Sequence, residues 1–146
     1  MSVDPFLYFD GDCREALEFY AGVFRAEPQG VMTYADAPGA PSDDAGRCPV
    51  DGTRADHDRI LYASLPIFGV NAMFSDCADG APYSKGSNIG LAIGTDDADE
   101  VRRVFSELAE GGTVQQPLGP QFFGPLFGML TDRYGVIWML SLTEGA

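Results

Sequence analysis

The chain has 146 residues, 45% of them hydrophobic, which suits one compact domain with a core of ordinary size. Its 22 acidic residues against 9 basic ones give a formal net charge of -13, which repels polyanions and anionic lipid surfaces, so neither nucleic acid nor a membrane is an expected partner. No basic leader opens the chain and no window approaches the roughly 18 apolar residues of a membrane span. The three cysteines, Cys13, Cys48 and Cys77, form no CxxC pair and read as free thiols of a cytoplasmic protein.

Phe6 to Phe9 is an unbroken apolar run that predicts a strand buried on both faces or lining a cavity. Asp10-Gly11-Asp12 turns the chain, with Asp12 placed to cap the next helix and Glu15 three residues on completing a capping-box pattern. Along that helix Ala16, Leu17, Tyr20, Val23 and Phe24 recur at helical spacing as an apolar stripe. Pro28 and Gly30 end it, and Val31 to Tyr34 predicts a second strand.

The segment 35–57 is dense in Asp, Pro, Gly and Ala and poor in large apolar residues, so it reads as a long loop, a lid or an insert outside the core. Ile60 to Leu65 and Val70 to Phe74 then predict a hairpin turning at Pro66 to Gly69, followed by a polar loop from Ser75 to Ser87.

The opening pattern then returns. Ile89, Leu91 and Ile93 alternate as a strand, Thr95-Asp96-Asp97 turns and caps, and Val101, Val104, Phe105 and Leu108 form a helical stripe stopping at Gly111-Gly112. Leu17, Tyr20 and Phe24 pair with Val101, Val104 and Leu108 at one constant offset. Thr113 to Pro117 predicts a strand, and Phe127 to Thr131, the turn Asp132 to Gly135 and Val136 to Leu142 predict a closing hairpin. The expected fold class is α+β: two βαβββ modules, about 1–78 and 86–146, forming a concave mixed β-sheet trough.

The motifs FDGDCREALEFY at Phe9 to Tyr20 and GMLTDRYGVIWM at Gly128 to Met139, with Asn88-Ile89 and Leu118 to Gly124 between them, resemble the PhnB-like branch of the vicinal oxygen chelate superfamily, which includes glyoxalases, dioxygenases and bleomycin-resistance proteins. The resemblance implies a homodimer with a small-molecule cavity. Many relatives are lyases, isomerases or dioxygenases that hold a divalent metal with several His, Glu or Gln ligands. Carried over residue by residue, the ligand positions fall on Pro5, on Tyr62 or Ser64, on Asn88 and on Met139. Pro5 and Met139 bring no hard donor, so the expectation is a metal-free protein without a cofactor, with metal-dependent catalysis as the alternative. The branch's methyltransferase label finds no glycine-rich nucleotide loop here.

Other chemistry is sparse. His57 is the only histidine, and its neighbours Asp56 and Asp58 are consecutive to it and ill placed to share one centre. Cys13 opens a helix, which favours a thiolate, but Asp10 and Asp12 oppose ionisation, so it reads as a packing residue. No nucleophile elbow or phosphate-binding loop occurs. The aromatic residues supply an apolar pocket, and the expected ligand-binding residues are Tyr8, Tyr62, Ser64, Asn88, Phe123 and Met139, taking a small, partly aromatic or apolar molecule.

Overall fold

The computed structural model describes residues 1–36, 58–77 and 81–144, so most of the loop expected at 35–57, with His57, lies outside the described residues. The chain divides into two compact units, Met1–Ser84 and Lys85–Ala146, and each is a βαβββ module. Among the described residues no helix is long and apolar enough to cross a membrane.

The first module runs β1 (Phe6–Phe9), α1 (Cys13–Phe24), β2 (Gln29–Thr33), β3 (Ile60–Ile67) and β4 (Val70–Asp76). Its sheet has the order β1-β4-β3-β2, with β1 parallel to β4 and the other pairs antiparallel. Because side chains alternate across a strand, the register sorts them onto two faces. Ala63 lies opposite Phe74 and Ser64 opposite Met73, while Phe6 pairs with Met73. Phe9, Ala63, Leu65, Ala72 and Phe74 are buried beneath α1, which turns Ala16, Leu17, Tyr20 and Val23 toward them. The rings of Phe9 and Tyr20 stand 6.2 and 5.8 Å from that of Phe74. Phe6, Tyr8, Tyr62, Ser64 and Met73 occupy the opposite face.

The cap of α1 differs from the sequence expectation. Asp12 makes no side-chain capping bond. The backbone N–H groups of Gly11 and Cys13 instead donate to Oδ1 of Asp76 at 2.8 and 3.1 Å, and that of Ile60 donates to Oδ2 at 2.9 Å. Asp76 is 1% exposed, so one buried carboxylate at the end of β4 ties the β1–α1 turn to the start of β3. Cys13 is wholly buried, as expected of a packing residue; burial raises its thiol pKa far above the ordinary range, and Asp76 and Asp12 push it the same way against a smaller opposing effect of Arg14.

Cys77 corrects another expectation. It is disulfide-bonded rather than free, whereas Cys13 is a free thiol. Sequence spacing excludes a local metal knuckle but says nothing about a bridge between residues that folding brings together.

The second module repeats the plan with β5 (Leu91–Thr95), α2 (Ala98–Ala109), β6 (Thr113–Gln121), β7 (Gly124–Thr131) and β8 (Ile137–Leu142), in the order β5-β8-β7-β6. Here the cap is local, since Asp97 accepts from the N–H groups of Asp99 and Glu100 at 3.0 and 3.1 Å. Aligning the two helices end to end pairs Ala16 with Val101, Tyr20 with Phe105 and Val23 with Leu108, all buried, one residue away from the offset read in the sequence. Val23, not the half-buried Phe24, completes the first stripe.

Two strands extend differently from expectation. Pro117 and Pro120 do not interrupt β6, because an edge strand has a free side where a missing N–H costs no ladder bond. Ile89 stays outside β5 and is 76% exposed. Under α2 the sheet buries Leu126, Leu130, Trp138 and Leu140. A Cβ on Gly128 would stand 2.6 Å from Phe105 Cε2, so this glycine is what lets the helix approach β7. At the β7–β8 turn, buried Asp132 accepts from Trp138 Nε1 and Tyr134 N at 2.8 Å each and from Val136 N at 3.1 Å.

Replacing Asp76 by Asn places an amide donor against one of its three backbone donors, and should lower unfolding stability by about 3 kcal/mol in urea titrations. A loss below about 0.5 kcal/mol would show that the carboxylate does not hold the turn. Iodoacetamide at pH 8 should leave Cys13 unmodified in the folded protein and alkylate it fully in denaturant, read by peptide mass spectrometry. Rapid native labelling would contradict the burial and the raised pKa.

Candidate functional site

The face of the second sheet turned away from α2 carries a cleft of about 440 Å³. It is built by register. Leu130 pairs with Trp138, and both are buried toward the helix, so the residues between them in each strand point the other way. Met129 therefore lies directly opposite Met139 and Thr131 opposite Ile137, giving an apolar floor of two thioethers and a branched alkyl group. The loop before β5 forms one wall with Ser87, Asn88 and Ile89. Gly90 lets that loop come close, since a Cβ there would meet Met139 Cε at 3.1 Å and Ile137 Cγ2 at 3.3 Å.

Gln115 supplies the opposite wall through an irregularity. Val114 pairs with Leu130 but Gln116 pairs with Met129, so Gln115 is an extra residue in β6, a bulge of the kind that re-aims a side chain. Its Nε2 donates to Thr131 Oγ1 at 2.9 Å. Among the described residues the lining thus combines methionine and isoleucine with carboxamides and hydroxyls, and includes no ionisable side chain. Such a surface binds through apolar contact and neutral hydrogen bonds, and offers no general acid or base.

Of the residues expected to bind ligand, Asn88 and Met139 come together in this cleft. Tyr8, Tyr62 and Ser64 lie in the first module, on the face away from α1. There Phe6 stacks on Tyr8 with centroids 4.8 Å apart and meets Tyr62 at 6.5 Å. Ser64 is buried and donates its hydroxyl to the Gln29 carbonyl at 3.3 Å, which occupies it in joining β3 to β2. The Tyr8 carbonyl accepts from the Tyr83 hydroxyl at 3.0 Å, and burial, then Asp12, Asp10 and Asp76, raise the pKa of that phenol, which favours the donating form. Phe123 sits at the tip of the β6–β7 hairpin, 58% exposed, edge-on to Phe122 and Phe127 at 5.0 Å each, and is not among the residues lining the cleft.

Among the lining residues that sequence reasoning missed are Gln115, Met129, Thr131 and Ile137. A partial signal existed for two of them: alternation puts Met129 and Thr131 on one face of their strand, but counting outward from the Asp132 to Gly135 turn sets Met129 against Trp138, one residue off its observed partner Met139. Nothing in the sequence marks the bulge at Gln115.

Of the metal-ligand positions of the resemblance, Pro5, Ser64 and Met139 offer no available hard donor. The Pro5 carbonyl accepts from Met73 N at 2.9 Å, the Ser64 hydroxyl is engaged, and Met139 presents a thioether in an apolar floor. Among the described residues, no group of three His, Cys, Asp or Glu side chains is placed to share an ion. Asp56 and His57 lie outside the described residues, so the grouping with Asp58 has no structural counterpart to report.

Comparison with known proteins agrees with this architecture. Protein YjdN of Escherichia coli K12 is 30% identical over 146 residues, covering 99% of this chain and 97% of its own. The crystal structure of protein PA1353 from Pseudomonas aeruginosa superposes with a TM-score of 0.83 at 33% identity, covering 99% of both chains. A PhnB protein from Bacillus cereus superposes with a TM-score of 0.77 at 25% identity, covering 98% of this chain and 100% of that one. The sequence model of the glyoxalase/bleomycin resistance protein/dioxygenase superfamily matches residues 2–140. With that match across nearly its whole length and two βαβββ modules in its fold, this chain belongs to the glyoxalase/bleomycin resistance protein/dioxygenase superfamily.

Proposed function

We propose that the protein binds a small, partly aromatic or apolar molecule in the cleft of its second module, without a metal ion. The observation that carries this reading is the lining itself. Met129, Met139 and Ile137 make a floor that gains from covering apolar area, at about 25 cal/mol per Å². Asn88, Gln115 and Thr131 around it supply neutral hydrogen-bonding groups that orient a ligand without charge. A volume near 440 Å³ falls within the range typical of small-molecule pockets, roughly 300–1,000 Å³.

The same lining argues for binding rather than catalysis at this cleft. A metal-assisted reaction needs several hard donors converging on one ion, and a proton-transfer reaction needs a titratable group within hydrogen-bond reach. Thioether, alkyl, carboxamide and hydroxyl groups meet neither need.

The uncharged fluorescent probe N-phenyl-1-naphthylamine should bind saturably, one per chain, with affinity unchanged by EDTA. Met139→Glu, which buries a carboxylate in the floor, should weaken that binding by about tenfold or more. Binding that vanished in EDTA and returned with a divalent cation would overturn the metal-free reading, and full affinity in the Met139→Glu protein would move the site elsewhere.

A further inference from the structure

The hydrogen bond between Gln115 and Thr131 constrains what the cleft recognises. Gln115 Nε2 donates to Thr131 Oγ1 at 2.9 Å. A hydroxyl that accepts from an amide keeps its own proton to give, so Thr131 offers a donor. An amide whose nitrogen is so engaged turns its Oε1 outward, so Gln115 offers an acceptor. A donor and an acceptor, both uncharged, therefore stand side by side on the rim.

Three further features support a purpose for this pair. Gln115 is the residue inserted by the bulge in β6, so its position beside Thr131 depends on a local departure from the ladder. The pair borders the thioethers of Met129 and Met139, and sulfur packs favourably against aromatic rings. Among the described residues no ionisable group lines the cleft, and a chain charge of -13 opposes anions.

Resting on the binding reading above, we infer that the cleft selects an uncharged planar ring whose edge carries a carbonyl acceptor beside an N–H donor, as in a lactam, an imide or a pyrimidinone. The ring face lies on Met129 and Met139. The ligand carbonyl accepts from Thr131, and the ligand N–H donates to Gln115 Oε1.

Displacement of N-phenyl-1-naphthylamine by three probes tests this: 2-quinolone, N-methyl-2-quinolone, whose donor is capped, and the anion quinoline-2-carboxylate. In the unmodified protein 2-quinolone should compete about fivefold better than its N-methyl analogue, and the carboxylate should be weakest. Thr131→Val and Gln115→Ala, each checked for an unchanged melting temperature, should bring the ratio of the two quinolones close to one. Normal dye binding with equal competition by both quinolones, or a ratio that survives both substitutions, would overturn the inference while leaving the binding reading intact. Failure of the dye itself to bind would remove the binding reading, and this inference with it.

Discussion

One helix can cover only one face of a four-stranded sheet, and that constraint governs both modules. α1 and α2 each bury the apolar side chains of the face beneath them, Phe9, Phe74 and Leu65 in one module and Leu130, Trp138 and Leu140 in the other. Alternation then sends every second residue to the far side, where, among the described residues, no helix of the same module packs. In the second module that far side carries Met129, Thr131, Ile137 and Met139, a mixture too polar for a dry core and too apolar for a bare surface. The cleft is thus a consequence of the module's economy of elements.

What holds the cleft in shape lies on the other side of the sheet. Asp132 accepts three hydrogen bonds within the β7–β8 turn, one of them from the buried Trp138 indole. A turn locked in this way fixes the register of the hairpin, and a slip of one residue would send Met129 and Met139 under the helix. Asp76 does similar work in the first module by joining three backbone segments through one carboxylate. Buried, fully paired acids at strand ends therefore set the geometry, and the acids exposed elsewhere carry the net charge.

The module plan was legible because it rests on local signals. Helical stripes, the Asp97 cap, the glycine stops and the hairpin turns all act within a few residues, and the elements fell close to where those signals put them. The cap of α1 was misread for the complementary reason. Asp12 has the right chemistry in the right place but makes no capping bond, and the turn is tied instead by Asp76, 63 residues from Cys13, through the N–H groups of Gly11 and Cys13. The bridge at Cys77 is likewise invisible to motif spacing. For the site, Asn88 and Met139 were reachable through the family motif, whereas Gln115 depends on a bulge that only strand pairing creates. Phe123 lies at the hairpin tip and is not among the residues that line the cleft.

The family shares a fold across unlike chemistries, so membership alone names no ligand. The five methionines of this chain provide a direct reporter, because Met129 and Met139 line the cleft while Met32 and Met73 lie in strands of the first module. Methyl-labelled methionine spectra recorded during titration with N-phenyl-1-naphthylamine would locate the bound molecule by the ring-current shifts it induces. Saturating shifts at Met129 and Met139 are the predicted result; shifts confined to Met32 and Met73, or absent from all five, would contradict the placement of the site.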